Sequence, residues 1–448
     1  MSKPQVIDDE EHERVYEKVA AIDVAKKDGM VCVRGPHLSR PGQRQSMVWT
    51  VTATTNEVRA LAGQLTGLGV QKVTLESTSD YWRIWFYVLE AAGLDVQLVS
   101  ATQARQISGR PKTDKLDAQW LARLTEKGLL RPSFVPPAEI RVLRSYTRAR
   151  TNLTGDRTRC VQRLEKLLED ALIKVSGVAS KLTTVSARDM IEALIGGERD
   201  PVVLAGLART RMRAKHDALV EALTGMFADH HGEIARMLTD QIGFCDARIA
   251  RLTLLISEQL AVLCDGWGVD TDGATGPGAG TSDDAPVLSA AARLDQVPGI
   301  SAELAASIIA ETGLDMTRFP TAGHLVSWAG LCPRAHQSGS RTRDGKKHGN
   351  SYLRGYLGQA AIAAARTPTF LGERYGRIAR RRGNAKAQVA VARSILVIIW
   401  HLLNDPQARF ADLGPGWHDN KINNNRVARG HIRQLQALGY TVTITPAA

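Results

Sequence analysis

Asp23, Glu76, Asp114 and Asp117 are the residues whose types and positions best fit chemistry in this chain. Asp23 follows the apolar run Val19-Ala20-Ala21-Ile22, and Glu76 follows Lys72-Val73-Thr74-Leu75. Both runs read as strands, so each acid falls at a strand end. Asp114 and Asp117 lie three apart where a helical pattern begins, which puts them on one face. Oxygen-only donors suit Mg²⁺ or Mn²⁺, which take carboxylates and water and bridge to phosphate. Converging carboxylates raise one another's pKa unless a cation neutralises them. Taken singly among 46 Asp and Glu, each would read as an ordinary surface acid. Their shared placement favours the metal.

A second set lies far along the chain, in Gly330-Leu331-Cys332-Pro333-Arg334-Ala335-His336-Gln337-Ser338-Gly339-Ser340. Arg341, Arg343, Lys346, Lys347 and His348 follow, then Gly349-Asn350-Ser351-Tyr352-Leu353-Arg354. A serine beside a glycine among cations has what a phosphoryl-transfer nucleophile needs: a hydroxyl, and positive charge to neutralise the phosphate. A phosphate-binding loop without chemistry fits the residue types equally well. Gln296-Val297-Pro298-Gly299-Ile300, between two helical patterns, has the form of a helix-hairpin-helix turn, where backbone N–H groups approach phosphate. Any Pro-Gly turn between helices would look similar.

The elements that must position the acids alternate between strand and helix. Val19–Val24, Met30–Val33 and Met47–Val51 read as strands, with Asp28-Gly29 as a turn between the first two. A helix with Val58, Leu61 and Leu65, a strand Val73–Leu75, an aromatic helix Tyr81–Ala92 and a strand Val96–Val99 follow. The aromatic stripe (Tyr81, Trp82, Trp85, Phe86, Tyr87) is better explained by core packing than by base stacking. Three strands, helix, strand, helix, strand, helix is the order of the ribonuclease H fold. From Ala138 long helices take over. Leu143, Tyr146, Leu153, Cys160, Leu164 and Leu167 fall on a and d heptad positions, interrupted by Arg150 and Arg157. Ile242, Cys245, Ile249, Leu252, Ile256 and Leu263 form a second series, broken by Gln259. The two helical arms would pair with each other or across a dimer. Arg141, Arg144, Arg148, Arg159 and Arg163 suit either a solvated helix face or one turned to nucleic acid.

With 448 residues, two or three domains are expected. Residues 15–135 would be the nuclease-like domain, 138–264 the helical arms, 265–287 a Gly- and Asp-rich linker or insert, 288–404 a second domain, and 405–448 a basic tail with a last helix near Ala428–Leu438. An apolar content of 44% supports real cores. A formal charge of +12 points to a polyanion, of which nucleic acid is the commonest. Five scattered cysteines without a CxxC pair fit a reducing cytoplasm and argue against a zinc site or a disulfide framework. The N-terminus lacks the pattern of a signal or transit peptide, and Ile395–Leu403 is too short to span a bilayer, so no membrane is expected.

The segments around Asp23, Glu76 and Lys112-Thr113-Asp114-Lys115-Leu116-Asp117-Ala118 resemble the DEDD domain of the insertion sequence one-ten family of transposases, the bridge-RNA-guided recombinases. Leu294 to Arg366 resembles that family's second domain, through PGI, Arg318-Phe319, WAGLCP, QSG, HGN and LR. Together these segments cover about half of the chain, in the family's order. The resemblance implies a RuvC-like domain, coiled-coil arms and a mainly α transposase domain. It gives the metal-binding role to Asp23, Glu76, Asp114 and Asp117, the nucleophile role to Ser338, and DNA and a guide RNA as partners. It also implies a composite site built by self-association as a dimer or tetramer, in a bacterial cytoplasm beside the nucleoid. Gly299, Arg341, Arg343, Lys346, Lys347 and Arg354 would hold nucleic-acid backbone. Two rival functions remain open on the residues alone: a junction-resolving nuclease that hydrolyses DNA with water, and a nucleic-acid-binding protein without chemistry.

Overall fold

The computed structural model describes residues 15–77, 79–100, 113–266, 288–332, 334–338, 341–345, 349–417 and 424–443. The chain divides into two compact units between Val135 and Pro136.

The first unit is built on a five-stranded sheet. Its strands are β1 (Val19–Val24), β2 (Asp28–Pro36), β3 (Arg44–Thr52), β4 (Lys72–Ser77) and β5 (Val96–Ser100), in spatial order β3-β2-β1-β4-β5. The first three are antiparallel, while β4 and β5 add parallel to β1. This is the ribonuclease-H-like arrangement that the order of elements predicts. Alternation along each strand sorts the two faces. Ala20, Ile22, Val24, Val31, Val73 and Leu75 face α1 (Thr55–Gly67) and α2 (Trp82–Ala91) in one core cluster. Val19, Ala21, Cys32 and Val99 face α3 (Asp114–Glu126) through Ala118, Leu121 and Ala122 in another.

Two details differ from the sequence expectation. Asp28-Gly29 lies inside β2, and the chain reverses over residues 25–27 instead, where Ala25 N–H donates to the Asp28 carbonyl. The glycine is needed for packing: a Cβ at Gly29 would meet the Trp85 ring at 2.8 Å. Trp85 is fully buried and Phe86 nearly so, which places these two in the core, while Trp82 and Tyr87 are partly buried and Tyr81 is exposed. Trp82 packs edge-on against both Phe86 and Tyr87.

Among the described residues, the second unit is helical apart from one hairpin. Its long helices α4 (Ala138–Asp170) and α6 (Asp229–Gly266) pack against each other within the chain, with α5 (Val185–Ile195) and shorter helices completing a core around Leu164, Leu168, Met190 and Leu238. Of the two heptad series, Leu143, Cys160, Leu164, Ile242, Cys245, Ile256 and Leu263 are buried, whereas Tyr146, Leu153, Leu167, Ile249 and Leu252 are only partly buried. The arginines that interrupt the first series bind the partner helix or its neighbour. Arg157 pairs with Asp246, and Arg150 donates to Thr253 Oγ1 at 2.9 Å and to Glu303 at 2.6 Å. The helix α6 runs to Gly266, so the boundary placed at Asp265 falls two residues early; residues 267–287 of the insert lie outside the described residues.

After a short helix over Ala290–Asp295 come α7 (Ala302–Thr312), α8 (Ala322–Trp328), α9 (Ser351–Ala364), α10 (Phe370–Arg382), α11 (Asn384–Asn404) and α12 (Asn424–Ala437). The apolar segment Ile395–Leu403 belongs to α11, which at 21 residues is long and apolar enough to cross a membrane. One face of α11 is core: Val391, Ile395, Leu396 and Ile399 are buried. The tail helix α12 begins at Asn424, earlier than the expected Ala428.

Candidate functional site

The carboxylates of the first unit come to one end of the sheet by register. In the parallel ladder between β1 and β4, Asp23 is the partner of Glu76, one step beyond Ile22 and Leu75. Strands in a sheet lie about 4.8 Å apart, so these two backbones are adjacent at the acids. Asp23 shares its face with Val19 and Ala21, and Glu76 shares its face with Thr74; both faces are the one that α3 covers.

The helix α3 runs antiparallel to β1. Its last residue, Glu126, accepts through its carbonyl from the N–H groups of Val15 and Tyr16, just ahead of β1. Thr125 Oγ1 donates to Thr74 Oγ1 at 2.8 Å, and Gln97 Nε2 donates to the same hydroxyl at 2.7 Å. Counting back eight residues from Thr125 to Asp117 covers about 12 Å of helix. From Thr74, the residue that Thr125 contacts, to Glu76 is two residues or ~7 Å of strand, so the helix start reaches the Asp23–Glu76 end and runs ~5 Å past it. Asp114 and Asp117 therefore lie at the Asp23–Glu76 end, on the stripe that continues through Ala118, Leu121 and Ala122. Thr113 caps the helix by accepting from Leu116 N–H. The two acids also sit where a helix N-terminus favours negative charge. Lys112, the first residue of that motif, lies outside the described residues.

Besides its packing on the sheet, α3 is held by a buried ion-pair clamp at its other end. Glu126 is 3% exposed and pairs with Arg34 of β2 at 2.7 Å and with Arg44 of β3. An acid in the last turn of a helix is opposed by the dipole, so Glu126 is stable there only because two guanidiniums answer it. Sequence reasoning missed this residue, although an acid at a helix C-terminus was the signal for it.

Glu76 is 6% exposed, Asp23 and Asp117 are partly buried, and Asp114 is exposed. Among the described residues, no three His, Cys, Asp or Glu side chains form a group ready to hold a metal ion. The donor set nonetheless suits a hard divalent cation, because it is all carboxylate oxygen.

In the second unit, Ser338 ends β6 (Arg334–Ser338), which pairs antiparallel with β7 (Arg341–Gly345). The register sets Ser338 beside Arg341 and His336 beside Arg343. Lys346 and Lys347 lie outside the described residues, and Arg354 is exposed on α9.

The base of this hairpin is tightly built. A Cβ on Gly349 would fall 2.4 Å from the Ala329 carbonyl oxygen, so the segment leaving the hairpin is packed on the backbone that leads into it. Asn350 caps α9 by accepting from Leu353 N–H and donates from Nδ2 to Glu311 at 2.5 Å. Glu311 is fully buried and receives two bonds from Arg148, 2.7 and 2.8 Å long. Arg144 donates to the Ala310 and Glu311 carbonyls and lies 3.3 Å from the Glu311 carboxylate. Burial alone would lower the Arg148 pKa, but hydrogen bonds and charge from Glu311 raise it, so Arg148 stays charged. Arg144 and Arg148 are thus protein anchors, belonging neither to a solvated face nor to one turned to nucleic acid. Arg159, by contrast, pairs only locally, with Asp156.

Gly299 has φ +91°, and a Cβ there would lie 2.2 Å from the Ala360 carbonyl oxygen. The Pro298-Gly299 turn packs against α9, so contact with protein backbone by itself requires a glycine at this position.

Transposase sequence models match parts of both units. A transposase model of the IS110 DEDD type matches residues 20–173, and the model "Transposase IS116/IS110/IS902 family" matches residues 291–376. The chain belongs to the IS110 family of insertion-sequence transposases. It is similar to a probable family 20 transposase of Pseudomonas aeruginosa, 26% identical over 71% of this chain and 80% of that protein. It is equally similar to the 44.8 kDa protein of insertion element IS116 from Streptomyces clavuligerus, 26% identical over 71% of this chain and 78% of that protein. The Thermus thermophilus RuvC structure aligns to 26% of this chain and 99% of its own length, with 13% identity and a TM-score of 0.21. That likeness is too slight to argue from; the strand order and register define the fold.

Proposed function

We propose that this transposase cuts and rejoins DNA through a covalent phosphoserine intermediate at Ser338. The observation that carries the reading is the β6–β7 hairpin, which sets Ser338 in register with Arg341 at the edge of a cation-rich segment. The Ser338 oxygen forms a bond to the scissile phosphorus as the bond to the 3′ oxygen breaks, and the leaving 3′ hydroxyl takes the proton. A free 3′ hydroxyl of another strand later attacks the phosphoserine and releases the serine, so bond energy is conserved and no nucleotide cofactor is consumed. Arg341, Arg343, Lys346, Lys347 and Arg354 neutralise the phosphate backbone, with Gly299 offering its backbone N–H.

Asp23, Glu76, Asp114 and Asp117 would hold Mg²⁺ or Mn²⁺, which would supply Lewis-acid polarisation of a phosphate oxygen. The acids and the serine serve one phosphate in an assembly of two or four chains. Contacts of this backbone type carry little base specificity, consistent with a guide RNA choosing donor and target by pairing. The protein works in the bacterial cytoplasm, at the nucleoid.

The test is to incubate the protein with DNA carrying the element's ends and its adjoining transcript, denature the mixture, and look for DNA attached to protein. An adduct that Ser338→Ala abolishes supports the reading. Cleavage by Ser338→Ala at the parental rate, with no adduct in the parent, points to hydrolysis by water.

A further inference from the structure

The layer between α3 and the sheet holds a pair of hydroxyls among its apolar side chains. Val19, Ala21, Cys32 and Val99 of the strands meet Ala118, Leu121 and Ala122 of the helix. In the same layer Thr74 of β4 and Thr125 of α3 are both buried. Thr125 Oγ1 donates to Thr74 Oγ1 and to the carbonyl of Leu121, both at 2.8 Å. Gln97, the register partner of Thr74 on β5, donates to the same Thr74 oxygen at 2.7 Å. Three elements therefore meet at one buried oxygen.

This contact differs in kind from the packing around it. Burial of apolar surface is non-directional, so Ala118 and Ala122 favour contact with the sheet without selecting one position along it. A hydrogen bond restricts both distance and angle, and a buried hydroxyl that loses its partner is penalised. A slide or rotation of α3 is thus resisted at Thr125 in a way that the alanines do not resist it. The same helix carries two of the four carboxylates. Asp114 lies eleven residues before Thr125, about three turns, so both side chains leave α3 in nearly the same direction. Asp117 lies a little over two turns before Thr125 and flanks that line. Thr74 is two residues before Glu76 on β4, and side chains at that spacing share a face.

We propose that Thr74 and Thr125, backed by Gln97, are positioning residues for a divalent cation: their hydrogen bond sets the register of α3 against β4, and so how Asp114 and Asp117 are presented to Asp23 and Glu76. The proposal rests on the reading of those four carboxylates as metal ligands and is independent of Ser338 chemistry.

The test uses full-length protein without nucleic acid and titrates it with Mn²⁺, following the free hydrated ion by electron paramagnetic resonance. Each variant is measured well below its own melting transition. Thr125→Val keeps the branched shape and removes the hydroxyl; it is expected to weaken Mn²⁺ binding by about tenfold or more, the usual cost of losing a group that orients metal ligands. Thr125→Ser keeps the hydroxyl and should bind as the parent does. Thr74→Val gives a second reading of the same contact if Thr125→Val folds poorly. Leu61→Ala loosens the opposite core of the sheet and should lower the melting temperature with Mn²⁺ affinity unchanged, which separates positioning from stability. Asp23→Asn, run in parallel, should lose the tight site. If Asp23→Asn loses it while both valine variants bind as the parent does, the proposal is overturned and the carboxylate reading stands. Weakened binding that serine does not restore also overturns it, because shape and not the hydroxyl would then be responsible. Parental binding by Asp23→Asn overturns the carboxylate reading and the proposal with it.

Discussion

Asp23 and Glu76 are register partners across the parallel β1–β4 ladder, and both lie on the face covered by α3. Neither strand could slip by one residue without moving its acid to the face of α1 and α2. The alternation that buries Val19 and Ala21 thus also delivers Asp23.

Removing either charge should stop chemistry without unfolding the protein. Asp23→Asn and Glu76→Gln are expected to slow DNA cleavage by about 10²–10³, the usual cost of losing one stabilising group in the transition state. Chelation should abolish cleavage, and Mg²⁺ or Mn²⁺ should restore it. Cleavage at parental rate in both variants, measured under single-turnover conditions, removes the metal role.

The clamp at the far end of α3 should matter for stability. Glu126→Ala leaves Arg34 and Arg44 facing a buried gap, and breaking such a pair costs about 3–5 kcal/mol. Urea unfolding of the first unit should shift to lower denaturant by a corresponding amount. A shift below about 1 kcal/mol would show the pair to behave like a surface ion pair.

Glu311→Ala should destabilise the second unit on a similar scale, about 3–5 kcal/mol. It strands Arg148 and Arg144 and takes an acceptor from Asn350. Gly299→Ala should cost about 2–4 kcal/mol, because it combines positive φ with a backbone overlap. At a temperature where Gly299→Ala protein is still folded, its affinity for DNA distinguishes packing from phosphate contact: parental affinity would leave the glycine to packing alone.

Cys32 reports on the docking of α3 through its thiol. Burial pushes its pKa up to about 11, partly offset by the Ser46 hydrogen bond and by Arg34 and Arg123. The folded state thus keeps a proton that the unfolded chain loses from about pH 9 upward, so this group's contribution to stability falls between pH ~9 and ~11. At pH 8, Cys32 should resist a thiol reagent while the partly exposed Cys332 reacts. Glu126→Ala should speed Cys32 labelling.

The elements were legible where periodicity and burial coincide. Val19–Val24 alternates between two covered faces, and Asp114-Lys115-Leu116-Asp117 follows the capping residue Thr113, so strand and helix could be placed from residue types alone. Gly29 was misread because a glycine after an aspartate signals a turn, whereas its cause is the Trp85 ring on the neighbouring layer. The arginines of α4 were ambiguous for the same reason: Glu311, which binds Arg144 and Arg148, lies more than 160 residues away. Glu126 and Glu311 share a trait visible in sequence, an acid in the last turn of a helix, which predicts a cationic partner without naming it.

Mapping the covalent link tests the central claim most directly. Protein trapped on end-labelled DNA would be digested with nuclease and protease, and the modified peptide sequenced by mass spectrometry. The account predicts a nucleotide phosphate on Ser338, absent from Ser338→Ala protein. A phosphate on Ser340 or another side chain, or cleaved DNA with no modified peptide, would contradict it.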